Sequence, residues 1–361
     1  MQGCPVLEID LDKITANAER VVAKCWEKGI EVLGVTKGFS AMQQIVGAML
    51  AGGIEGLADA RMENIVELRK QNFQNPITLL RIPRLSNVNN VVQYADTSIN
   101  SEVAVIRALA AAALQLGKRH NIMLMVDVGD LREGIMQENV LDTVRQIGGL
   151  PGVNFIGIGT NMGCFGGILP SVNNLGLLVE LGLAVERQLG HRLEVISGGG
   201  TSTLLLVESD LIPAGINQLR IGEGILLGTD TTNNRGIPWL YQDAFRLRAE
   251  VIEVKDKPSV PIGEVGKDAF GNTPQFIDAG IRKRAILALG KQDVYIEGIF
   301  PLEGKAKILG ASSDHTIVDI TDAGQELAVG DELVFGLTYP GLLSASDSRY
   351  VEKRFKGGKI L

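Results

Sequence analysis

Between Val32 and Ile221 the chain repeats one pattern eight times: a short apolar run, then a longer stretch with helical spacing. The runs fall at Val32–Thr36, Ile54–Leu57, Ile77–Arg81, Asp96–Ile99, Ile122–Asp127, Phe155–Thr160, Glu194–Ser197 and Gln218–Ile221. Continuous apolar runs rich in Val and Ile read as strands buried on both faces, the mark of a parallel sheet. Eight strand-then-helix units in about 230 residues match an α/β fold of the (β/α)8 barrel type better than a doubly wound sheet. Between the strands, Ser101–Leu116 reads as a helix with Ser101 as N-cap and Gly117 as C-cap, and Leu175–Leu189 as another. Ser40 and Gln43 have the spacing of a capping box opening a helix that Gly52-Gly53 closes.

Outside that region the pattern changes. Residues 11–29 read as an amphipathic helix with Ile14, Val21, Val22, Cys25 and Trp26 on one side, after a strand at Val6–Asp10. Past Gly236 helical periodicity fades, and strand-like runs stand at Phe245–Val254, Ala285–Leu289, Thr316–Ile320 and Glu332–Leu337. The expected division is a barrel over residues 10–236 and a C-terminal β-rich domain over 237–361, which the N-terminal strand within residues 1–9 could join.

Composition narrows the function. A net charge of −7 and a pI near 5.2 argue against a nucleic-acid-binding protein, which normally carries a basic face. Cys4, Cys25 and Cys164 are widely spaced and odd in number, which suits a reducing compartment and suggests neither a disulfide framework nor a zinc knuckle. No two of His120, His191 and His315 stand at ligand spacing, so no metal site is expected. No charged-then-apolar leader precedes Val6 and no apolar run approaches the length of a membrane span, so a soluble cytoplasmic protein is expected.

The chemistry is read from the strand ends. Lys37 follows the first barrel strand, at the end where such folds place their chemistry. At the same rim lie Val126–Gly134, Gly157–Gly166, Ser197–Ser202 and Leu219–Gly224. Loops after the seventh and eighth barrel strands often hold a phosphate, because glycine lets the backbone approach an anion and hydroxyls add donors. A lysine, a phosphate cup and Arg220 between them are what pyridoxal 5′-phosphate requires: a covalent anchor, an anion site and a partner for the ring nitrogen. An arginine in that last place does not readily give up a proton, which favours brief carbanions and racemisation over transamination.

Val35-Thr36-Lys37, Asp127–Arg132, Gly159-Thr160-Asn161, Ser197–Thr201 and Leu219–Gly224 together resemble the alanine-racemase-like class of pyridoxal-phosphate enzymes. The likeness continues in Ala288–Asp293 and Val329–Val334 and so covers most of the chain. Gly266–Gly271 and Gly163–Gly166 resemble the ornithine-racemase-like subgroup. The resemblance implies that Lys37 holds the cofactor and serves as base on one face of Cα. It implies that Arg220 faces the pyridine nitrogen, that Ser197, Gly199, Thr201 and Gly222 line the phosphate, and that Asn161 lies against the ring. Arg132 would hold the cofactor's phenolate or the substrate's carboxylate.

The family's opposite-face tyrosine, supplied by a partner subunit, falls here at Phe270, which has no proton to exchange. Asp268, two residues earlier and on the same side if this is a strand, is the favoured second base, with Tyr339 another candidate. A turn aspartate beside Gly271 and Asn272 is the alternative reading of Asp268. The resemblance implies a homodimeric two-base racemase of ornithine, lysine or a small aliphatic amino acid. A cofactor-holding protein would consist of the barrel alone. A basic amino-acid decarboxylase would carry paired cysteine and histidine motifs that this sequence lacks.

Overall fold

The computed structural model describes residues 5–302, 304–324 and 326–358. They form two units: one takes the N-terminal strand with Asp243–Gly357, the other Leu11–Gln242 together with Gly358. Strand β1 (Val6–Asp10) precedes helix α1 (Leu11–Trp26), after which β2 (Glu31–Val35), α2 (Gln43–Ala51), β3 (Gly56–Asp59), α3 (Met62–Lys70), β4 (Ile77–Leu79), α4 (Val88–Tyr94), β5 (Thr97–Asn100) and α5 (Val103–Gln115) alternate. Then come β6 (His120–Asp127), the short β7 (Ile135–Met136), α6 (Val140–Ile147), β8 (Val153–Gly159), α7 (Val172–Leu189), β9 (Val195–Ser197), α8 (Leu204–Glu208), β10 (Gln218–Ile221) and α9 (Glu223–Leu227).

Eight of these strands close on themselves in the order β2-β3-β4-β5-β6-β8-β9-β10, all parallel, with β10 returning to β2 through Arg220 opposite Leu33. The expected (β/α)8 barrel is present. Its interior is packed by Leu33, Val35 and Ala58 against Leu80, and by Ile99, Met123 and Met125 against Leu80 and Val195. This packing leaves the chemistry to the strand ends and loops.

Local chemistry explains the helix boundaries. In α1, Ile14, Ala18, Val21 and Cys25 are buried at helical spacing, with Asp12 in the first turn and Lys24 in the last. Trp26, expected on that apolar side, is 76% exposed: it is the last residue of the helix and lies outside the buried stripe that ends at Cys25. In α7, Ser171 and Asn174 form a reciprocal capping box. The box expected at Ser40 and Gln43 does not form: a one-turn helix at Lys37–Phe39 intervenes, Ser40 turns left-handed at φ 53°, and Met42 caps α2. Glu102, not Ser101, occupies the N-cap of α5.

The barrel unit extends past residue 236. Asn17 of α1 accepts from Tyr241 N at 2.7 Å and donates to the Tyr241 carbonyl at 2.9 Å, and Arg20 donates to the Trp239 carbonyl at 2.9 Å.

In the other unit, β13 (Phe245–Pro258), β14 (Ile281–Leu287), β15 (Ile299–Pro301), β16 (Lys307–Ala311), β17 (Thr316–Asp319), β18 (Glu332–Leu337) and β19 (Glu352–Lys356) join β1 in one sheet, with helix α10 at Tyr339–Asp347. (The numbers 11 and 12 belong to a two-strand hairpin of the barrel unit, β11 at Thr229–Asp230 and β12 at Arg235–Gly236.) The sheet runs β15-β18-β13-β14-β17-β16, and β1 pairs antiparallel with β13 and parallel with β19. The N-terminal strand is therefore a member of the β-rich unit. Among the described residues no helix is long and apolar enough to cross a membrane.

Candidate active site

Lys37 owes its position to the way β2 ends. Thr36 N donates to the Ala58 carbonyl at 2.9 Å, and Thr36 Oγ1 donates to Asp59 Oδ2 at 2.5 Å, tying the strand end to β3. The buried Phe39 anchors the short turn that carries Lys37. Asp59 also accepts from Arg61 N at 2.7 Å, and Asn64 donates to both its oxygens. Burial pushes the Asp59 carboxyl up, while the bonds from Thr36, Arg61 and Asn64 and the charge of Lys37 pull it back. Sequence reasoning missed Asp59 because the expected strand ended at Leu57, whereas β3 runs on to Asp59.

Lys37, Arg132, Asn161 and Arg220 line one cavity of about 410 Å³ at the barrel rim. Leu80, Ile82 and Ile99 supply its apolar wall, and Arg81 and Glu133 its remaining charges. The sequence-predicted Lys37 and Arg220 thus share a single chamber. Among the described residues the Lys37 ammonium has neither a hydrogen-bond nor an ion-pair partner. The sequence pattern carries this strand on to Arg81, whereas β4 stops at Leu79 and leaves Arg81 on the rim.

Arg220 is 5% exposed. Its Nη1 donates to Ser197 Oγ, and its Nη2 to the Thr160 carbonyl at 2.6 Å. Burial pushes its pKa down to about 10, opposed by the carboxylate of Glu133 and by Cys164. At neutral pH it remains a cation. Ser197 was expected at the phosphate. Instead its fully buried hydroxyl donates to the Gln218 carbonyl at 3.4 Å and accepts from Arg220, so it braces the guanidinium.

The other predicted anion-binding residues are brought together. Arg220 N donates to the Gly199 carbonyl at 2.9 Å, joining the loop after β9 to the strand that leads to Gly222. Thr201 Oγ1 accepts from Gly224 N at 3.2 Å, so the two loops share a hydrogen bond. Gly222 lies against the end of β2, where an added Cβ would stand 3.1 Å from Val35 Cβ.

Arg132 lies on the loop after β6. Asp127 Oδ1 accepts from Gly129 N at 2.8 Å and Leu131 N at 3.2 Å and so shapes this loop. The neighbouring Asp130 carboxylate accepts from the backbone N–H groups of Gly163, Phe165 and Ile168, which fixes the loop after β8. Asn161 at its start donates to Cys164 Sγ at 3.1 Å.

Asp268 belongs to the β-rich unit, and its segment is a turn, not a strand. Gly271 N donates to the Asp268 carbonyl at 3.0 Å, while Asp268 Oδ1 accepts from Phe270 N at 2.9 Å and Asn272 N at 2.8 Å. The premise that Asp268 and Phe270 share a strand face is therefore corrected. The N–H groups hold the Asp268 carboxyl below the usual carboxylate range, which weakens it as a base. The Phe270 ring is covered by Lys291, whose Nζ lies 3.7 Å from its centroid. Tyr339 opens α10 of the same unit.

Residues 9–230 match the family model "Alanine racemase, N-terminal domain". The lysine racemase of Thermotoga maritima is 42% identical over 98% of both chains. The ornithine racemase of Acetoanaerobium sticklandii is 40% identical over 97% of this chain and 99% of its own. Among solved structures, an alanine racemase from Streptomyces lavendulae superposes with a TM-score of 0.77 at 19% identity, covering 99% of this chain and 98% of that one.

Proposed function

This chain belongs to the alanine racemase family, and on that premise we propose that it is a pyridoxal-phosphate-dependent racemase of a basic amino acid, lysine or ornithine. The observation that carries the reading is the placement of Lys37 and Arg220 around one cavity. The lining suits the cofactor: Lys37, Arg81, Arg132 and Arg220 supply cationic groups for a phosphate ester and a carboxylate, and Lys37 is a primary amine able to bind an aldehyde. Bound pyridoxal phosphate supplies an electron-withdrawing ring that makes the substrate's Cα proton removable.

In this reading Lys37 would hold the cofactor and carry the proton on one face of the substrate's Cα. Arg220, held by Ser197 and Thr160 and a cation at neutral pH with a pKa of about 10, would face the pyridine nitrogen. Gly199, Thr201 and Gly222 would receive the phosphate, Asn161 would lie against the ring, and Arg132 would hold the cofactor's phenolate or, as favoured here, the substrate's carboxylate in a planar fork. A homodimer with shared sites is part of the same proposal and rests on the resemblance, and a cytoplasmic location is proposed from the sparse, widely spaced cysteines.

Incubation with cofactor and pure L-lysine or L-ornithine, followed by chiral chromatography, tests the activity. The D-enantiomer is expected. Release of a diamine would mark a decarboxylase, and unchanged substrate with bound cofactor would mark a holding protein.

A further inference from the structure

Consecutive side chains on an extended strand point to opposite sides, yet Arg132 and Glu133 both line the cavity. The backbone explains this. Leu131 has φ 53° and Gly134 φ 135°, and Ile135–Met136 then turns back to pair in parallel with Val126–Asp127. Between these bends Arg132 Nη2 donates to Glu133 Oε1 at 2.6 Å, and Arg132 Nε meets Oε2. The guanidinium is thus gripped at two points, and the Glu133 side chain is only 18% exposed.

Charge gives this contact a purpose. Glu133 is the carboxylate among the residues lining the cavity, against the cations Lys37, Arg81, Arg132 and Arg220. Arg132 and Arg220 repel one another, whereas Glu133 attracts both. A lone arginine at the Arg132 position would be driven toward solvent by the buried charge of Arg220, losing its aim.

We propose that Glu133 is a positioning residue, whose carboxylate holds the Arg132 guanidinium in the cavity wall so that the substrate's carboxylate meets a preset fork. The proposal rests on the racemase reading, which gives Arg132 that substrate. Glu133 itself touches neither substrate nor cofactor in this role. Burial pushes the Glu133 carboxyl above its usual range, and the two guanidiniums oppose that shift without cancelling it. The two-point contact with Arg132 is what carries the proposal.

The test compares the unaltered holoenzyme with Glu133→Gln, which keeps the shape and removes the charge. Binding of L-lysine and of its amino alcohol, which lacks the carboxylate, is followed by titrating the cofactor's absorbance. Binding of the amino acid is expected to weaken about tenfold, with the alcohol unchanged. The same substitution made in an Arg132→Lys background is expected to add little, because the two side chains act as one unit. Equal losses toward acid and alcohol, or no loss, would overturn the proposal. Should Glu133→Gln fail to fold, Glu133→Asp is read in the same way, and equal losses there overturn it too. Cofactor binding by the unaltered protein is measured first. Its absence sinks the racemase reading and this proposal with it, whereas bound cofactor with equal losses sinks this proposal alone.

Discussion

Lys37, on the turn just after the first strand of the closed barrel, and Arg220, on the last strand, which pairs in parallel with that first one, face one cavity. Barrel closure thereby joins residues 183 positions apart in the chain. The lysine is displayed on a short turn, and the arginine is buried and braced by Ser197 and Thr160.

The brace is testable. Removing the Ser197 hydroxyl leaves a buried guanidinium short of an acceptor, a loss of about 1.5–3 kcal/mol for a hydrogen bond to a charged group. Ser197→Ala should lower the unfolding free energy by that amount in urea titrations and weaken cofactor binding. A change under about 0.5 kcal/mol would show that the hydroxyl does not support Arg220.

The loop bearing Arg132 depends on Gly134. At φ 135° an added Cβ would lie 2.5 Å from Asp127 N, whereas at Gly129, with nearly the same φ of 134°, the nearest atom is 4.0 Å away. Both alanine variants carry backbone strain, but only Gly134→Ala adds a clash with main chain. It should be less stable than Gly129→Ala by about 1–3 kcal/mol, the range for overpacking. Equal melting behaviour would contradict the tight return of the chain at β7.

His120 gives the protein an acid-sensitive point. It is buried, with Nε2 2.9 Å from Ser98 Oγ, and burial pushes its pKa from 6.5 down to about 4. Between these values the unfolded chain binds the proton and the folded one does not, so stability falls as pH falls through 6.5 toward 4. The gap predicts a loss of about 2 kcal/mol between pH 7 and pH 5 from this residue. Denaturant titrations at the two pH values should show a shallower loss in His120→Gln. An unchanged pH dependence would remove His120 from the account.

Asp268 accepts from the N–H groups of its own turn, and on that geometry Asp268→Asn is expected still to interconvert enantiomers. Proton exchange measured in heavy water distinguishes the alternative. If Asp268 were the second base, the variant would exchange Cα–H of one enantiomer while racemisation fell by a factor of about a hundred or more.

Much of the architecture was legible because most parallel strands are short and centred on apolar residues, and Gln218–Ile221 and Glu332–Leu337 match their observed limits. Lys37 and Arg220 were legible as polar residues in or next to such runs. Asp59 and Arg81 were not, since apolar runs mark strand ends only to within a few residues, and both sit at that margin. Glu133 stood inside a segment already singled out. Its facing is set by the bends at Leu131 and Gly134, and local pattern does not reveal these. The role of Ser197 beside Arg220 was hidden for a related reason: the glycines next to it suggest an anion loop, whereas its hydroxyl bonds inward to Arg220. In the β-rich unit Ile299–Pro301, Lys307–Ala311 and Glu352–Lys356 were missed, being short or charged strands that pairing stabilises more than composition does.

The most direct measurement is borohydride reduction of the cofactor-loaded protein, followed by peptide mass mapping, on the unaltered chain and on Lys37→Ala. The account expects a pyridoxyl-sized mass increment on the peptide carrying Lys37, with increment, visible absorbance and racemisation all lost in the variant. Attachment at another lysine, or racemisation that survives Lys37→Ala, would contradict it.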